Sequence, residues 1–147
     1  MMKLRSLGAI GVMLSVVASG FLATTTAVAA DPIRVLIVDG QNNHNWKATT
    51  PIMKDFLTKS GRFTVDVVTT PPGKAPKEAW DAFRPKFSDY ATVLSNYNGE
   101  LWPESVQRDL EAYVSGGGGL VIVHAANNAF PEWAEFNKMI GLGWRGA

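Results

Sequence analysis

The chain has 147 residues, of which 46% are hydrophobic and 18% charged, a composition typical of one soluble globular domain. Its 14 Lys and Arg residues nearly balance 13 Asp and Glu residues, which excludes the basic surplus that nucleic-acid-binding proteins use against phosphates. The absence of cysteine excludes disulfides, thiolate metal ligands and a cysteine nucleophile.

The first 30 residues have the pattern of a secretory signal peptide. Two basic residues near the N-terminus precede an apolar stretch over residues 7–22, and small residues at 27–30 offer a cleavage site. We predict cleavage before Asp31 and an exported domain over residues 31–147, periplasmic or extracellular, with no membrane attachment after cleavage. The alternative is an uncleaved anchor helix, but glycines and serines dilute the apolar run below the roughly 20 apolar residues that a spanning helix needs.

The rest of the chain predicts strands and helices in alternation. Residues 33–38 are too uniformly apolar to alternate and predict a strand covered on both faces. Apolar residues recur at helical spacing over 52–57, with Pro51 early in that helix and Gly61 closing it. Residues 63–67 alternate apolar and polar side chains, which predicts a strand near a sheet edge.

The second half of the domain continues the alternation. It predicts a short helix over 77–83 and a third strand over 90–95. A helix over 103–115 begins with a proline and is stopped by four glycines, and a fourth strand over 120–123 and a last helix over 131–140 follow. The order βαβαβαβα predicts an α/β domain with a parallel sheet.

Ligands of such sheets bind outside the carboxyl ends of the strands, so the loops after strands one, three and four are the place to look for chemistry. Both histidines and every asparagine except Asn137 fall in these loops. Amide groups beside aromatic rings suit a ligand with hydroxyls and apolar C–H faces, so we predict carbohydrate binding there. The alternative is that Asn simply favours turns. The candidate substrate-binding residues are Asn43, Asn45, Trp46, Asn96, Asn98, Asn127 and Asn128.

The two histidines are the candidate catalytic residues. His124 directly follows the fourth strand, at the strand-to-helix turn where α/β hydrolytic folds place a nucleophile, and it could serve as acid or base, metal ligand or hydrogen-bond donor. The alternative is a structural histidine whose ring hydrogen-bonds to backbone carbonyls. His44 is the second candidate, and the alternative for it is a solvated loop residue.

No cofactor is expected, and no metal ligand is assigned. Zinc usually takes three or four protein ligands, and two histidines alone leave the site incomplete, with Asp39 and Glu100 as the nearest acidic candidates. Zinc stays open as an alternative. The glycines at 116–119 precede a strand instead of joining a strand to a helix, and no Lys-Ser or Lys-Thr pair follows, which argues against a phosphate loop.

Three of the five tryptophans are candidates for a sugar-stacking face. Trp46, Trp102 and Trp133 lie near predicted strand ends or early helix turns, whereas Trp80 is expected in the core. The alternative for any tryptophan is burial.

Two segments are specific enough to indicate a family: Asn43-His44-Asn45-Trp46, and the run Gly-Gly-Leu-Val-Ile-Val-His-Ala-Ala that ends at Ala126. Over residues 33–147 the chain resembles the ThuA-like (trehalose-utilisation) domain family. That resemblance implies a flavodoxin-like, doubly wound parallel sheet similar to that of class I glutamine amidotransferases. It also implies a role with trehalose or a related keto-sugar.

The resemblance also bears on mechanism and completeness. In the amidotransferase relatives the turn after the equivalent strand carries a cysteine nucleophile, whereas this chain has His124 there, so amidotransfer by a thiolate is excluded. ThuA-like domains continue well beyond the point that matches Ala147, so we expect a C-terminally truncated fragment with an incomplete sheet. The leading hypothesis is a sugar-directed hydrolase, lyase or isomerase, and the alternative is a non-catalytic carbohydrate-binding or accessory module. The oligomeric state is left open.

Overall fold

A computed structural model of the protein describes residues 30–144. The predicted signal peptide therefore falls almost entirely outside the described residues. The described sheet is parallel throughout, with four strands in the order β2-β1-β3-β4. Its strands are β1 (Ile33–Asp39), β2 (Phe63–Thr69), β3 (Thr92–Ser95) and β4 (Gly119–Ile122). This α/β arrangement confirms the predicted fold class and agrees with a flavodoxin-like fold.

A helix follows each strand along the chain. The helices are α1 (Trp46–Lys59), α2 (Lys77–Ala82), α3 (Glu104–Ser115) and α4 (Ala134–Ile140), with short 3-10 turns at Phe87–Asp89 and His124–Asn128. Each predicted element is present, with boundaries shifted by a few residues. No helix among residues 30–144 has the length and apolar character needed to cross a membrane.

Helix α1 starts earlier than its apolar spacing indicated. The side chain of Asn45 caps it, because the Asn45 Oδ1 accepts a hydrogen bond from the backbone N–H of Ala48 at 3.2 Å. Pro51 consequently lies in the second turn and not at the start. Because proline has no backbone N–H, the helix lacks one hydrogen bond at that point.

The core forms on both faces of β1, as its uniformly apolar sequence predicted. Leu36 and Val38 face a large cluster that extends to α3 and α4, whereas Val35 and Ile37 face a smaller cluster under α1. Strand β2 lies at one edge of the described sheet, and most of its side chains are exposed or half-buried. The expectation that this strand lies near an edge is confirmed.

Aromatic rings dominate the larger cluster, and they correct one prediction. Trp102 and Trp133 are only 2% and 5% exposed, so the expectation that they form a sugar-stacking face is wrong. Trp102 packs edge-on against Phe130 with ring centroids 5.1 Å apart, and the indole N–H of Trp133 donates to Glu111 Oε1 at 2.6 Å. Trp80 packs against the same core, as expected.

Candidate functional site

Two loops from non-adjacent strands meet at the carboxyl edge of the sheet. The rings of His44, after β1, and His124, after β4, lie with centroids 4.4 Å apart and planes inclined at 51°. Strand β3 lies between β1 and β4, so the loop after β1 must cross the end of β3 to make this contact. The sequence placed both histidines on this edge, and the structure brings them into contact.

Hydrogen bonds to the segment after β3 hold the crossing loop in place. The Asn42 side-chain amide donates to the backbone carbonyl of Asn96 at 3.1 Å, and the backbone N–H of Asn98 donates to the carbonyl of Gln41 at 2.9 Å. The Asn98 side chain also donates to Asn43 Oδ1 at 2.9 Å. Asn43 and Asn98, both predicted to bind substrate, thus bond to each other across the two loops.

His124 follows β4, at one edge of the described sheet, and its backbone is strained. The N–H of Val123 makes the last bond to β3, at the Ser95 carbonyl, and the chain then turns at His124 with φ 46. A positive φ is uncommon for a residue with a side chain and costs of order 1–3 kcal/mol, and such strain clusters at functional sites. The turn leaves the imidazole exposed at the sheet edge.

The two histidines border a cleft of about 550 Å³, which we call the histidine cleft. It includes two of the predicted amides, Asn127 and Asn128, on the turn that follows β4. Its lining residues are His44, Ile122, His124, Ala125, Asn127, Asn128, Ile140, Leu142 and Trp144. A surface of imidazole, amide and apolar groups can exchange protons with a ligand and bind both hydroxyls and C–H faces.

Part of this lining was not predicted from the sequence. Ile140, Leu142 and Trp144 reach the cleft because the chain turns back after α4 at Gly141, which has φ 71. Trp144 is 71% exposed. The glycine after the last apolar turn was the available signal, but it fixes the helix end and not the direction of the chain beyond it.

The remaining predicted binding residues, Asn45, Trp46 and Asn96, do not line the histidine cleft. The Asn96 side chain is 5% exposed and donates to the hydroxyls of Thr49 and Thr50 at 3.1 Å each, which ties β3 to α1. Asn45 caps α1, and Trp46 lies outside the histidine cleft. These three residues therefore shape the edge of the sheet without lining the histidine cleft.

The acidic residues considered for a metal site, Asp39 and Glu100, do not line the histidine cleft. Asp39 is 2% exposed and accepts a hydrogen bond from Thr69 Oγ1 at 2.6 Å, and Glu100 accepts one from the backbone N–H of Lys74 at 2.8 Å. Within the part of the chain that the structure describes, no three His, Asp or Glu residues come together as a metal-binding group. The described cleft therefore offers a metal two imidazoles and no carboxylate.

The chain is an α/β domain with a parallel sheet, and its polar loops and histidine pair lie at the carboxyl edge, where sheets of this kind bind their ligands. The family model described as trehalose utilisation (ThuA) matches residues 34–147, and the chain belongs to this ThuA family. The resemblance carried by the loop after β1 and by the strand ending at His124 is thus confirmed.

A solved structure supports the same assignment. The chain is similar to a ThuA-like protein from Parabacteroides merdae, with 45% sequence identity and a TM-score of 0.74. The match covers 79% of this chain and 41% of that protein, so the chain spans less than half of its relative's length. No curated protein matches the sequence.

Proposed function

We propose that the histidine cleft binds a carbohydrate and that His124 exchanges a proton with it as general acid or base, with His44 as the second participant. The observation that carries this proposal is the contact of the two imidazoles, with ring centroids 4.4 Å apart, at the mouth of a cleft that also contains Asn127 and Asn128. Imidazole both donates and accepts protons near neutral pH, and the amides supply donors and acceptors for sugar hydroxyls.

The character of the lining favours proton transfer over glycoside hydrolysis by the usual route. Most glycosidases flank the scissile bond with two carboxyl groups, and the described lining of this cleft contains none. Two adjacent imidazoles suit a reaction in which one group removes a proton and the other supplies one, as in isomerisation or elimination on a keto-sugar. We therefore favour an isomerase or lyase acting on a keto-sugar related to trehalose, because trehalose itself has no carbonyl group to acidify a neighbouring C–H bond.

The family supports a sugar-related role, and the signal-like N-terminal segment supports export. Membership of a trehalose-utilisation family indicates a sugar-related role. The basic and apolar start of the sequence favours an exported protein, periplasmic or extracellular. An exported domain of this kind would meet sugars outside the cytoplasm.

The test uses the full chain and the variant His124→Asn. Asparagine tolerates positive φ better than most residues, so this change removes the imidazole while retaining the backbone turn. We expect turnover of a keto-disaccharide, followed by NMR, to fall roughly 100-fold or more, while the Kd from calorimetry changes less than about tenfold. His44→Gln should lower turnover less. Arg108→Gln, on the exposed face of α3, is the control that should change neither quantity.

The competing function is a carbohydrate-binding module without catalysis. The amides and the exposed Trp144 indole of the cleft would suffice for binding alone. This alternative is supported if the full chain binds sugars but turns none over, and if His124→Asn changes only Kd. The proposal is overturned entirely if neither disaccharides nor keto-sugars bind the full chain.

A further inference from the structure

A second recess lies beside the loop that carries His44. Trp46 lines this recess and not the histidine cleft, and we call it the Trp46 recess. Its volume is about 490 Å³, close to that of the histidine cleft. Its lining residues are Gly40, Gln41, Asn42, Trp46, Lys47, Thr69, Thr70, Pro72 and Gly73. The carboxyl edge of the sheet therefore offers two adjacent concave surfaces.

Internal hydrogen bonds fix the walls of the Trp46 recess. The Gln41 side chain donates to the Pro71 carbonyl at 3.1 Å and accepts from the Glu100 N–H at 3.1 Å, which uses both ends of its amide. The Asn42 Oδ1 accepts from the backbone N–H of His44 at 2.9 Å. A recess with such walls is preformed, so a ligand would bind without having to order the loop.

Two side chains on the first turn of α1 are suited to a sugar ring. The indole of Trp46 is half-buried, which leaves part of its surface accessible to an apolar C–H face. The Lys47 Nζ lies 5.5 Å from the centroid of that indole, and Lys47 takes part in no ion pair among the residues the structure describes. That distance is a cation–π contact with the indole, and because no ion pair engages the ammonium group, its N–H donors can also reach hydroxyls.

The loop that separates the two concave surfaces is short. His44, on the histidine cleft, is two residues from Asn42 and two from Trp46, both on the Trp46 recess. Two residues of extended chain span at most about 7 Å, so the bordering backbone positions are within that distance of each other. The backbone N–H of Trp46 also donates to the His44 carbonyl at 2.8 Å, which couples the two residues.

From this placement we infer that the Trp46 recess binds the second sugar ring of a disaccharide whose first ring occupies the histidine cleft. The inference rests on the proposed function. Trp46 stacks on the second ring, and the Lys47 ammonium donates to its hydroxyls. The Trp46 recess then sets the preference for disaccharides over single sugars, and the histidine cleft supplies the acid–base groups.

The experiment compares the Kd of trehalose with that of glucose by calorimetry, using the full chain and two variants of Trp46. Trp46→Ala should raise the Kd of trehalose roughly tenfold and change the Kd of glucose less than about twofold, because Trp46 stacks only on the second sugar ring. Trp46→Phe keeps an aromatic face and should retain most of the preference. Trp80→Phe, in the core on another helix, is the control with an unchanged preference.

The outcomes distinguish this inference from the proposed function. If the full chain binds both sugars and the trehalose-to-glucose ratio is unchanged in Trp46→Ala and in Lys47→Gln, the Trp46 recess is not a subsite, although the histidine cleft still binds sugar. If neither sugar binds the full chain, the proposed function fails and the inference fails with it. Circular dichroism of each variant excludes misfolding as the cause of a lost preference.

Discussion

Asn96, at the end of β3, donates its side-chain amide to the hydroxyl of Thr50 on α1 at 3.1 Å, and both residues are buried. The same amide nitrogen donates to Thr49 at 3.1 Å. The Asn96 backbone carbonyl also accepts from Asn42, in the loop that presents His44. One residue thus fixes the helix and the loop that border the candidate site.

Asn96→Ala should destabilise the fold, because it removes the side-chain bonds to α1 and keeps only the backbone carbonyl that accepts from Asn42. Loss of the amide removes a hydrogen bond to the buried hydroxyl of Thr50 and a part-buried one to exposed Thr49, which we expect to lower the free energy of unfolding by about 1–3 kcal/mol. Urea denaturation measures this change. Asn98→Ala removes an exposed hydrogen bond to Asn43 and is the matched control, with an expected loss below about 1 kcal/mol. Equal losses in the two variants would contradict the structural role of Asn96.

Gly40→Ala should be more costly than the same change at Gly61. Both glycines have positive φ, 134 and 70, but a Cβ at Gly40 would lie 2.0 Å from Thr70 Oγ1, whereas a Cβ at Gly61 meets no atom within 4 Å. We expect about 1 kcal/mol of destabilisation at Gly61 from backbone strain and at least about 2 kcal/mol at Gly40. Thermal unfolding compares the two variants. A smaller effect at Gly40 would show that Thr70 can move aside.

Tyr97 should make the fold sensitive to alkaline pH. Burial raises the pKa of the Tyr97 phenol above its ordinary value of 10.0, and repulsion from Glu100 adds to the effect. The phenol therefore stays protonated in the folded state at a pH where the unfolded chain has already released its proton. Its stabilising contribution is complete below about pH 10 and is lost as the pH rises toward the folded pKa, by up to about 1.4 kcal/mol per pH unit.

The measurement is the free energy of unfolding between about pH 9 and pH 12, compared between the full chain and Tyr97→Phe. The variant should show a shallower decline across that window, because it has no phenol at this position. It should also be less stable at neutral pH, since the Tyr97 hydroxyl donates to the Glu100 carbonyl at 2.7 Å. Tyr90 and Tyr113 also have raised pKa values and will leave part of the slope in place. An unchanged slope would refute the assignment to Tyr97.

Truncation of Trp102 should lower the stability of the fold, whereas truncation of Trp144 should weaken sugar binding. Trp102 is 2% exposed among aromatic rings, so Trp102→Ala is expected to cost about 3–5 kcal/mol. Trp144 is 71% exposed, and Trp144→Ala should change stability by less than about 1 kcal/mol while weakening sugar binding in the histidine cleft. Chemical denaturation and calorimetry together check both statements. Unchanged sugar binding by Trp144→Ala would remove the indole of Trp144 from the proposed site.

The order of strands and helices could be predicted because each element carries a local pattern. The unbroken apolar run at 35–38 in β1 and the alternation in β2 distinguish a central strand from an edge strand before any contact is known. The placement of His44 and His124 at the carboxyl edge followed from the parallel topology, whereas their contact is known only from the structure. These features depend on short-range periodicity and on connectivity.

The surroundings of individual side chains could not be predicted in the same way. Trp46 and Trp102 both lie near the ends of elements, yet only the packing of Trp102 against Phe83, Phe130 and Tyr97 decides which of the two is buried. The separation of Trp46 from the histidine cleft depends on the path of a loop that hydrogen bonds from distant residues define. Long-range contacts of this kind leave no periodic trace in the sequence.

Phe130 follows the turn that carries His124 and Asn128, and its ring packs against Tyr97, which follows Asn96, with centroids 5.6 Å apart. The turn that lines the histidine cleft and the loop after β3 therefore share one aromatic anchor that is fully buried. Loops on protein surfaces usually open far more often than the core does, but these two cannot detach without exposing that anchor. Their hydrogen-bonded backbone amides, such as those of Asn96 and Ala129, should exchange hydrogen on a timescale close to that of complete unfolding, so these loops should be rigid and should not open as a lid.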